Sequence, residues 1–163
     1  MAAPLAGIKV VDLSRVLAGP WCGQTLADLG ADVIKIERPI SGDDTRQWGP
    51  PYLKDGGGED TTDAAYFFAA NRGKKSLAVD MASNEGADLI RALIKDADIV
   101  IENFKVGGLK KYRLDYDSIK DLNPKLIYCS ITGFGQTGPR AHQAGYDFMI
   151  RGMGGMMSVT GTP

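Results

Sequence analysis

Short apolar runs alternate along this chain with stretches of helical spacing. Ile8–Leu13 is apolar apart from Lys9 and Asp12, a run that predicts a strand buried on both faces. Ser14–Pro20 turns the chain, and Pro20 suits the first position of a helix, where a missing N–H costs nothing. Trp21, Leu26 and Leu29 follow, and Gly30 stands at a C-cap position. Val33–Ile36 reads as a second strand. Gly7–Arg38 is therefore a βαβ unit, which implies parallel strands and a right-handed crossover.

Residues 39–62 carry no such pattern and read as one irregular stretch, with Pro39, Pro50, Pro51 and the run Gly56–Gly58. A loop that long in a compact domain is functional or mobile. Ser41–Trp48 is placed to cover a ligand with the apolar face of Trp48; a solvent loop with one packed tryptophan is the alternative. Asp63 reads as an N-cap and Ala64–Ala70 as a short helix. Arg72, Lys74 and Lys75 then precede a third strand, Ser76–Val79. Three cations there form a solvated surface or meet a phosphorylated ligand.

Ser83 caps a helix running to about Ala97, with Ala87, Ile90, Leu93, Ile94 and Ala97 on one face. Asp98–Ile101 is the fourth strand and ends at Glu102-Asn103-Phe104. Asn103 suits an amide or base edge and Phe104 a flat ring. A turn in which Asn103 closes on its own backbone is the other reading. Leu109–Arg113 reads as a short basic helix whose N-terminus and Lys110 and Lys111 suit a phosphate. Asp115 or Asp117 caps a helix ending at Asn123-Pro124, Leu126–Ile131 is the fifth strand, and Thr132–Pro139 is glycine-rich. A last helix starts at Tyr146-Asp147-Phe148 and dissolves at Gly152–Gly155. The alternation predicts an α/β fold, a Rossmann-like, doubly wound and mainly parallel sheet.

In such sheets ligands bind beyond the carboxyl ends of the strands. Ser14–Pro20 and Arg38 lie at that edge. The first loop has one glycine, so a dinucleotide fingerprint is absent, as is the Gly-Lys-Ser/Thr of a P-loop at 132–139. Arg38 has the right sign for phosphate, with a surface salt bridge as the alternative.

Composition narrows the class. A length of 163 residues is one domain's worth, and a 44% hydrophobic share supports a core. The net charge of −1 points to neither nucleic acid nor an anionic membrane surface. No apolar run approaches the roughly 18 residues of a membrane span, and the first residues lack the pattern of a signal peptide. Cys22 and Cys129, far apart in sequence, one in a helix and one in a strand, read as buried free thiols of a reducing cytoplasm, with a disulfide as the alternative. One histidine and no C-x-x-C give no metal-site pattern.

The motifs G-I-K-V-V-D-L-S-R-V-L-A-G-P at 7–20 and L-A-D-L-G-A-D-V-I-K-I-E-R at 26–38 resemble the N-terminus of the family III CoA-transferases. N-R-G-K-K-S-L at 71–77, A-D-I-V-I-E-N-F at 97–104 and S-I-T-G-F-G-Q-T-G-P at 130–139 extend the resemblance over nearly the whole chain. The group includes formyl-CoA and carnitine CoA-transferases, with α-methylacyl-CoA racemases as relatives. The resemblance implies transfer of coenzyme A from a thioester to a carboxylic acid, with an aspartate attacking the acyl-CoA to form a mixed anhydride. Coenzyme A or acyl-CoA is then the substrate, with no metal.

By the same resemblance, Val16, Leu17 and Ala18 meet the thioester end and Arg38 a phosphate. Val79 and Ala82 flank the adenine, Asn103 and Phe104 lie along the CoA, and Lys111 stands near the phosphates. Ala144, Gly145 and Tyr146 fall near the pantetheine end. Leu17 replaces the glutamine of formyl-CoA transferases and cannot hydrogen-bond the thioester carbonyl. Tyr146 replaces a racemase histidine, and an unperturbed phenol of pKa about 10 is a poor acid–base substitute. The first departure argues against formyl or oxalyl specificity, and the second favours a transferase over a racemase. A racemase or dehydratase fragment is the rival enzyme, and a non-catalytic CoA-binding or dimerisation module the rival class.

The family's nucleophilic aspartate lies downstream, so no catalytic residue is assigned. The resemblance implies that residues 1–163 are the CoA-binding N-terminal part of the large domain. The small domain and the C-terminal return of an interlocked-dimer fold lie outside this chain. A homodimer or a chain supplying that C-terminal part is the implied protein partner. The implied compartment is the cytoplasm, or the mitochondrial matrix in a eukaryote.

Overall fold

The computed structural model describes residues 3–161. Five strands form one parallel sheet: β1 (Lys9–Asp12), β2 (Asp32–Glu37), β5 (Lys75–Ala78), β6 (Ile99–Glu102) and β7 (Ile127–Ser130). Their order is β5-β2-β1-β6-β7. The chain builds outward from β1 to β2 and β5, then crosses back to place β6 against the other side of β1. The switch point lies between β1 and β6, and the doubly wound reading holds.

Alternation along the buried strands feeds two cores. Val11, Leu13, Ile36 and Val100 point to the face covered by helix α3 (Asn84–Lys95), packing on Ile90 and Ile94. Val10, Val33 and Ile101 point to the other face, with Cys22, Leu26 and Ala27 of helix α1 (Ala18–Asp28). Ser83 caps α3 as the sequence suggests, its hydroxyl accepting from the Gly86 N–H. Gly30 follows α1 with φ +99°, the left-handed geometry that ends helices on glycine. Helix α1 itself starts at Ala18, two residues before Pro20. Proline fits there because the first four helical N–H groups have no intrahelical partner.

Other expectations are corrected. Residues 39–62 contain a 3₁₀ turn, Asp44–Gln47, and an antiparallel hairpin of β3 (Tyr52–Lys54) and β4 (Asp60–Ala64). The hairpin lacks strict apolar alternation because both strands are largely exposed. Asp63 does not cap helix α2 (Ala65–Ala69): Ala64 holds that place, and the Asp63 carboxylate binds Arg46 instead. The basic helix at 109–113 is a single 3₁₀ turn, Lys110–Tyr112, closed by Arg113 in the left-handed region. Helix α4 spans Tyr116–Ile119, well short of Asn123. Helix α5 (Asp147–Met153) and a 3₁₀ turn, Met156–Val159, close the described chain. No helix among the described residues is long and apolar enough to cross a membrane.

Candidate functional site

The carboxyl ends of β1 and β2 rest on buried charge. Asp12 and Lys35 face each other in the β1–β2 ladder. The Asp12 carboxylate accepts from the Ser14 N–H and hydroxyl on one oxygen, and from Lys74 Nζ at 2.9 Å on the other. Lys74 Nζ also donates to the Pro20 carbonyl and to Asn71 Oδ1. The reading of Arg72, Lys74 and Lys75 as one solvated cation surface therefore fails at Lys74, whose side chain is 2% exposed. Burial lowers its pKa, and Asp12 opposes that shift. Arg72 and Lys75 do sit outside, paired with Asp28 and Asp32. Gly23 lets α1 approach this pair, since a Cβ there would lie 2.7 Å from Asp12 Oδ2.

Lys35 donates to the Ser14 carbonyl at 2.8 Å and to Asp43 Oδ2 at 2.9 Å. Asp43 also accepts from the Thr45 N–H and hydroxyl and from the Val16 N–H, at 3.2 Å for the nearer oxygen. Burial alone would raise the Asp43 pKa, but the Lys35 charge and the Thr45 donors hold it below the ordinary carboxylate value. These contacts hold Val16 at φ +70°, a left-handed conformation for a β-branched residue. Such strain costs about 1–3 kcal/mol and persists only where the surroundings enforce it. Asn103 completes the enforcement: its Oδ1 accepts from the Arg15 N–H at 2.8 Å and its Nδ2 donates to the Arg15 carbonyl at 2.7 Å. Asn103 thus closes on the β1–α1 loop, 88 positions away in sequence, and not on its own backbone.

Beyond this floor lies a cleft of about 350 Å³ at the switch point. It gathers Ala18 from the start of α1, Asn103 and Phe104 after β6, and Ala144, Gly145 and Tyr146 from the segment before α5. Six residues singled out in the sequence are thus brought to one cavity. Gly133 and Gly145 make this possible: a Cβ on either would lie 2.2 Å from the other's Cα. The backbones touch there and seat Ala144–Tyr146 against the loop after β7. Helix α1 starts at the same cleft with no side-chain cap, so no side chain satisfies its first N–H groups.

The remaining residues fall elsewhere. Val16 is a half-buried member of the β1–α1 loop, and Leu17 is exposed at the α1 N-cap. Arg38 lines a separate cavity of about 390 Å³ with Ser41, Thr62 and Ser76, and pairs with Asp44. Val79 is a core residue, Ala82 an exposed one in the turn before α3. Lys111 is exposed with its ammonium 4.6 Å from the Tyr112 ring centroid. Trp48 meets Tyr66 edge-on at 5.4 Å.

Several residues that build the site carry no sequence signal of their own. Asp12, Lys35, Asp43 and Lys74 form the floor. Arg46 clamps Glu37 through two hydrogen bonds of 2.8 Å, binds Asp63 and lies over Phe67 at 3.7 Å. Burial would raise the Glu37 pKa, but Arg46 and the Ser76 hydroxyl bring it below the usual value. Arg15 lies over the Phe104 ring at 4.8 Å. The run of charges in D-D-T-R at 43–46 is the signal that could have pointed to such a network.

Comparison with known proteins agrees with the architecture. The model of CoA-transferase family III matches residues 5–163. The chain is 62% identical over 160 residues to a succinate–glutarate CoA-transferase of Agrobacterium fabrum, covering 98% of this chain and 40% of that protein. A succinyl-CoA:mesaconate CoA-transferase of Haloarcula hispanica is 42% identical and is likewise 40% covered. Among solved structures, a CAIB/BAIF family protein from Brucella suis superposes with a TM-score of 0.93 at 63% identity, over 100% of this chain and 42% of that one. The chain spans about 40% of the length of these relatives. The match over 5–163 means that this chain belongs to CoA-transferase family III.

Proposed function

We propose that this chain is the CoA-binding part of an enzyme that moves coenzyme A from an acyl-CoA to a carboxylic acid. The observation that carries this reading is the cleft itself. Ala18, Asn103, Phe104, Ala144, Gly145 and Tyr146 line one cavity at the switch point, in a chain of this family. The thioester end lies over Ala18 and the uncapped start of α1, with Leu17 as an apolar neighbour. The nucleotide end runs toward Arg38, with Val79, Ala82 and Lys111 on that route. Asn103 and Val16 act by shaping the loop rather than by offering free donors. The relatives named for succinate, glutarate and mesaconate make dicarboxylates and their CoA thioesters the proposed substrates.

Residues 1–163 then form the N-terminal part of the larger domain, and the attacking carboxylate comes from outside them. A homodimer, or a second chain carrying the C-terminal part, completes the site in the cytoplasm. Calorimetric titration of the chain with CoA tests the binding. Arg38→Ala should weaken it by about 1.5–3 kcal/mol, the range for a hydrogen bond to a charged group. An unchanged dissociation constant with the fold intact removes Arg38 from the site. Incubation with succinyl-CoA and hydroxylamine tests the chemistry. No hydroxamate should form on any Asp or Glu of residues 1–163, and trapping on one would place the nucleophile within them.

A further inference from the structure

We infer that Arg15 and Arg38 form one two-arginine phosphate site, and that Asp44 occupies it as an internal stand-in while no ligand is bound. The inference rests on the CoA-binding reading and adds a binding residue and a competitor to it. Arg15 and Arg38 come from the loops after β1 and β2, the two central strands on this side of the switch point, and both line one small cavity with Asp43 and Met81. The Asp44 carboxylate is shared between them. One oxygen binds Arg38 Nη2, and the other lies 4.0 Å from Arg15 Nη1.

Arg15 is under-used in this state. Its Nε is buried and has no hydrogen-bond partner, and its contact to Asp44 exceeds hydrogen-bond length. Stacking on Phe104 holds the guanidinium plane without satisfying its donors. A buried donor without a partner marks a place where an acceptor is missing. A carboxylate offers two oxygens and one negative charge. A phosphate offers three oxygens and up to two charges, enough to satisfy both forks at once.

Asp44 can leave without dismantling the floor. Its neighbour Asp43 makes the buried bonds to Lys35, Thr45 and Val16, while the Asp44 side chain is 40% exposed. Ligand phosphate must displace this carboxylate, so Asp44 weakens CoA binding and sharpens the preference for a phosphorylated ligand. Arg15 also ties the nucleotide end to the cleft, because its backbone is held by Asn103 and its side chain by Phe104.

The test measures dissociation constants of wild type, Arg15→Ala, Arg15→Lys, Arg38→Ala and Asp44→Asn for CoA, dephospho-CoA, pantetheine and inorganic pyrophosphate. Arg15→Ala should weaken CoA about tenfold, and Arg15→Lys, which keeps the charge but loses the fork, somewhat less. Asp44→Asn should tighten CoA about threefold, the scale of an exposed ion pair, and this gain should vanish when combined with Arg15→Ala and Arg38→Ala. Pantetheine affinity should not change in any variant. Retention of the effects with dephospho-CoA assigns the site to the diphosphate, and their loss assigns it to the 3′-phosphate. If Arg38→Ala weakens CoA while Arg15→Ala and Asp44→Asn leave it unchanged, the two-arginine site is wrong and the CoA reading stands. If neither wild type nor Asp44→Asn binds CoA or pyrophosphate, both fall.

Discussion

The cleft has two walls, and they are built in opposite ways. The wall after β1 stands on buried ion pairs that fix a strained loop: Lys35 with Asp43 and Lys74 with Asp12, all four side chains at most 2% exposed. The wall formed by residues 131–146 has no such floor among the described residues. It is seated by a glycine–glycine backbone contact and by hydrogen bonds such as Ile131 N–H to the Glu102 carbonyl, and it leads into α5, where Phe148 is 78% exposed and Tyr146 before it 73%. One wall is pre-organised by this chain's own core. The other holds its shape by one close backbone approach and a few local hydrogen bonds, and keeps apolar side chains in solvent. A rigid wall after β1 and an adaptable wall at residues 131–146 follow from that difference.

The strongest way to break the contrast is to remove one partner of a buried pair. Asp43→Ala strands the Lys35 charge and should cost about 3–5 kcal/mol by urea unfolding. A loss under 1 kcal/mol would mean that the first wall is no better anchored than the second. Acid should act on the same elements. Asp43 and Glu37 bind protons less readily folded than unfolded, so in the window below the ordinary carboxylate range the unfolded chain holds more protons. The stability they contribute is present above that range and is lost as pH falls through their depressed values. Urea midpoints that stay level from pH 6 down to pH 3 would contradict this.

Asn103→Ala is next in size. It orphans the Arg15 N–H and carbonyl, a loss of about 1–3 kcal/mol. Hydrogen exchange should show faster exchange at Arg15 and Val16 and little change at 144–146. Equal acceleration at both walls would mean that they move as one body.

Gly145→Ala should invert that pattern. The added methyl meets Gly133, so the second wall must shift, while the core residues Val10, Val11 and Val100 are untouched. Exchange should quicken at 144–146, CoA binding should weaken, and the unfolding midpoint should move little. Phe148→Ser is expected to have the smallest effect, within about 0.5 kcal/mol in the isolated chain, as for other exposed positions. A larger loss would reveal packing at α5 that its exposure does not show.

Legibility in the sequence followed the same division. The strands, the Ser83 cap and the Gly30 stop were readable because each is set by local pattern: a Val/Ile run, a hydroxyl three residues before an N–H, a φ that glycine adopts freely. Asn103 and Phe104 were reached from their place at a strand's carboxyl end as well as through motif resemblance, Tyr146 through resemblance, and the sheet order explains why they meet. The buried lysines were not readable. Lys74 looks like one of three surface cations until Asp12, 62 positions earlier, comes beside it. Arg15 and Asp43 were missed because their work is done through backbone groups and neighbouring loops. The β3–β4 hairpin escaped because its strands are too exposed to alternate.

The hairpin's construction gives an engineer a usable handle. Its base is tied down by Arg46 on Asp63 and by Trp48 against Tyr66. Its tip is a self-contained turn in which Asp55 Oδ1 accepts from the Gly57 and Glu59 N–H groups, with every residue from 53 to 60 exposed. Because the base fixes the register, the tip can change length at small entropic expense, about 0.6 kcal/mol for each doubling of the loop. A tag or fluorophore sequence spliced between Gly57 and Gly58 would leave the sheet unaltered. Thr62 and Asp63 at the base line the cavity beside Arg38. Such a graft would sit just outside that cavity without occupying it.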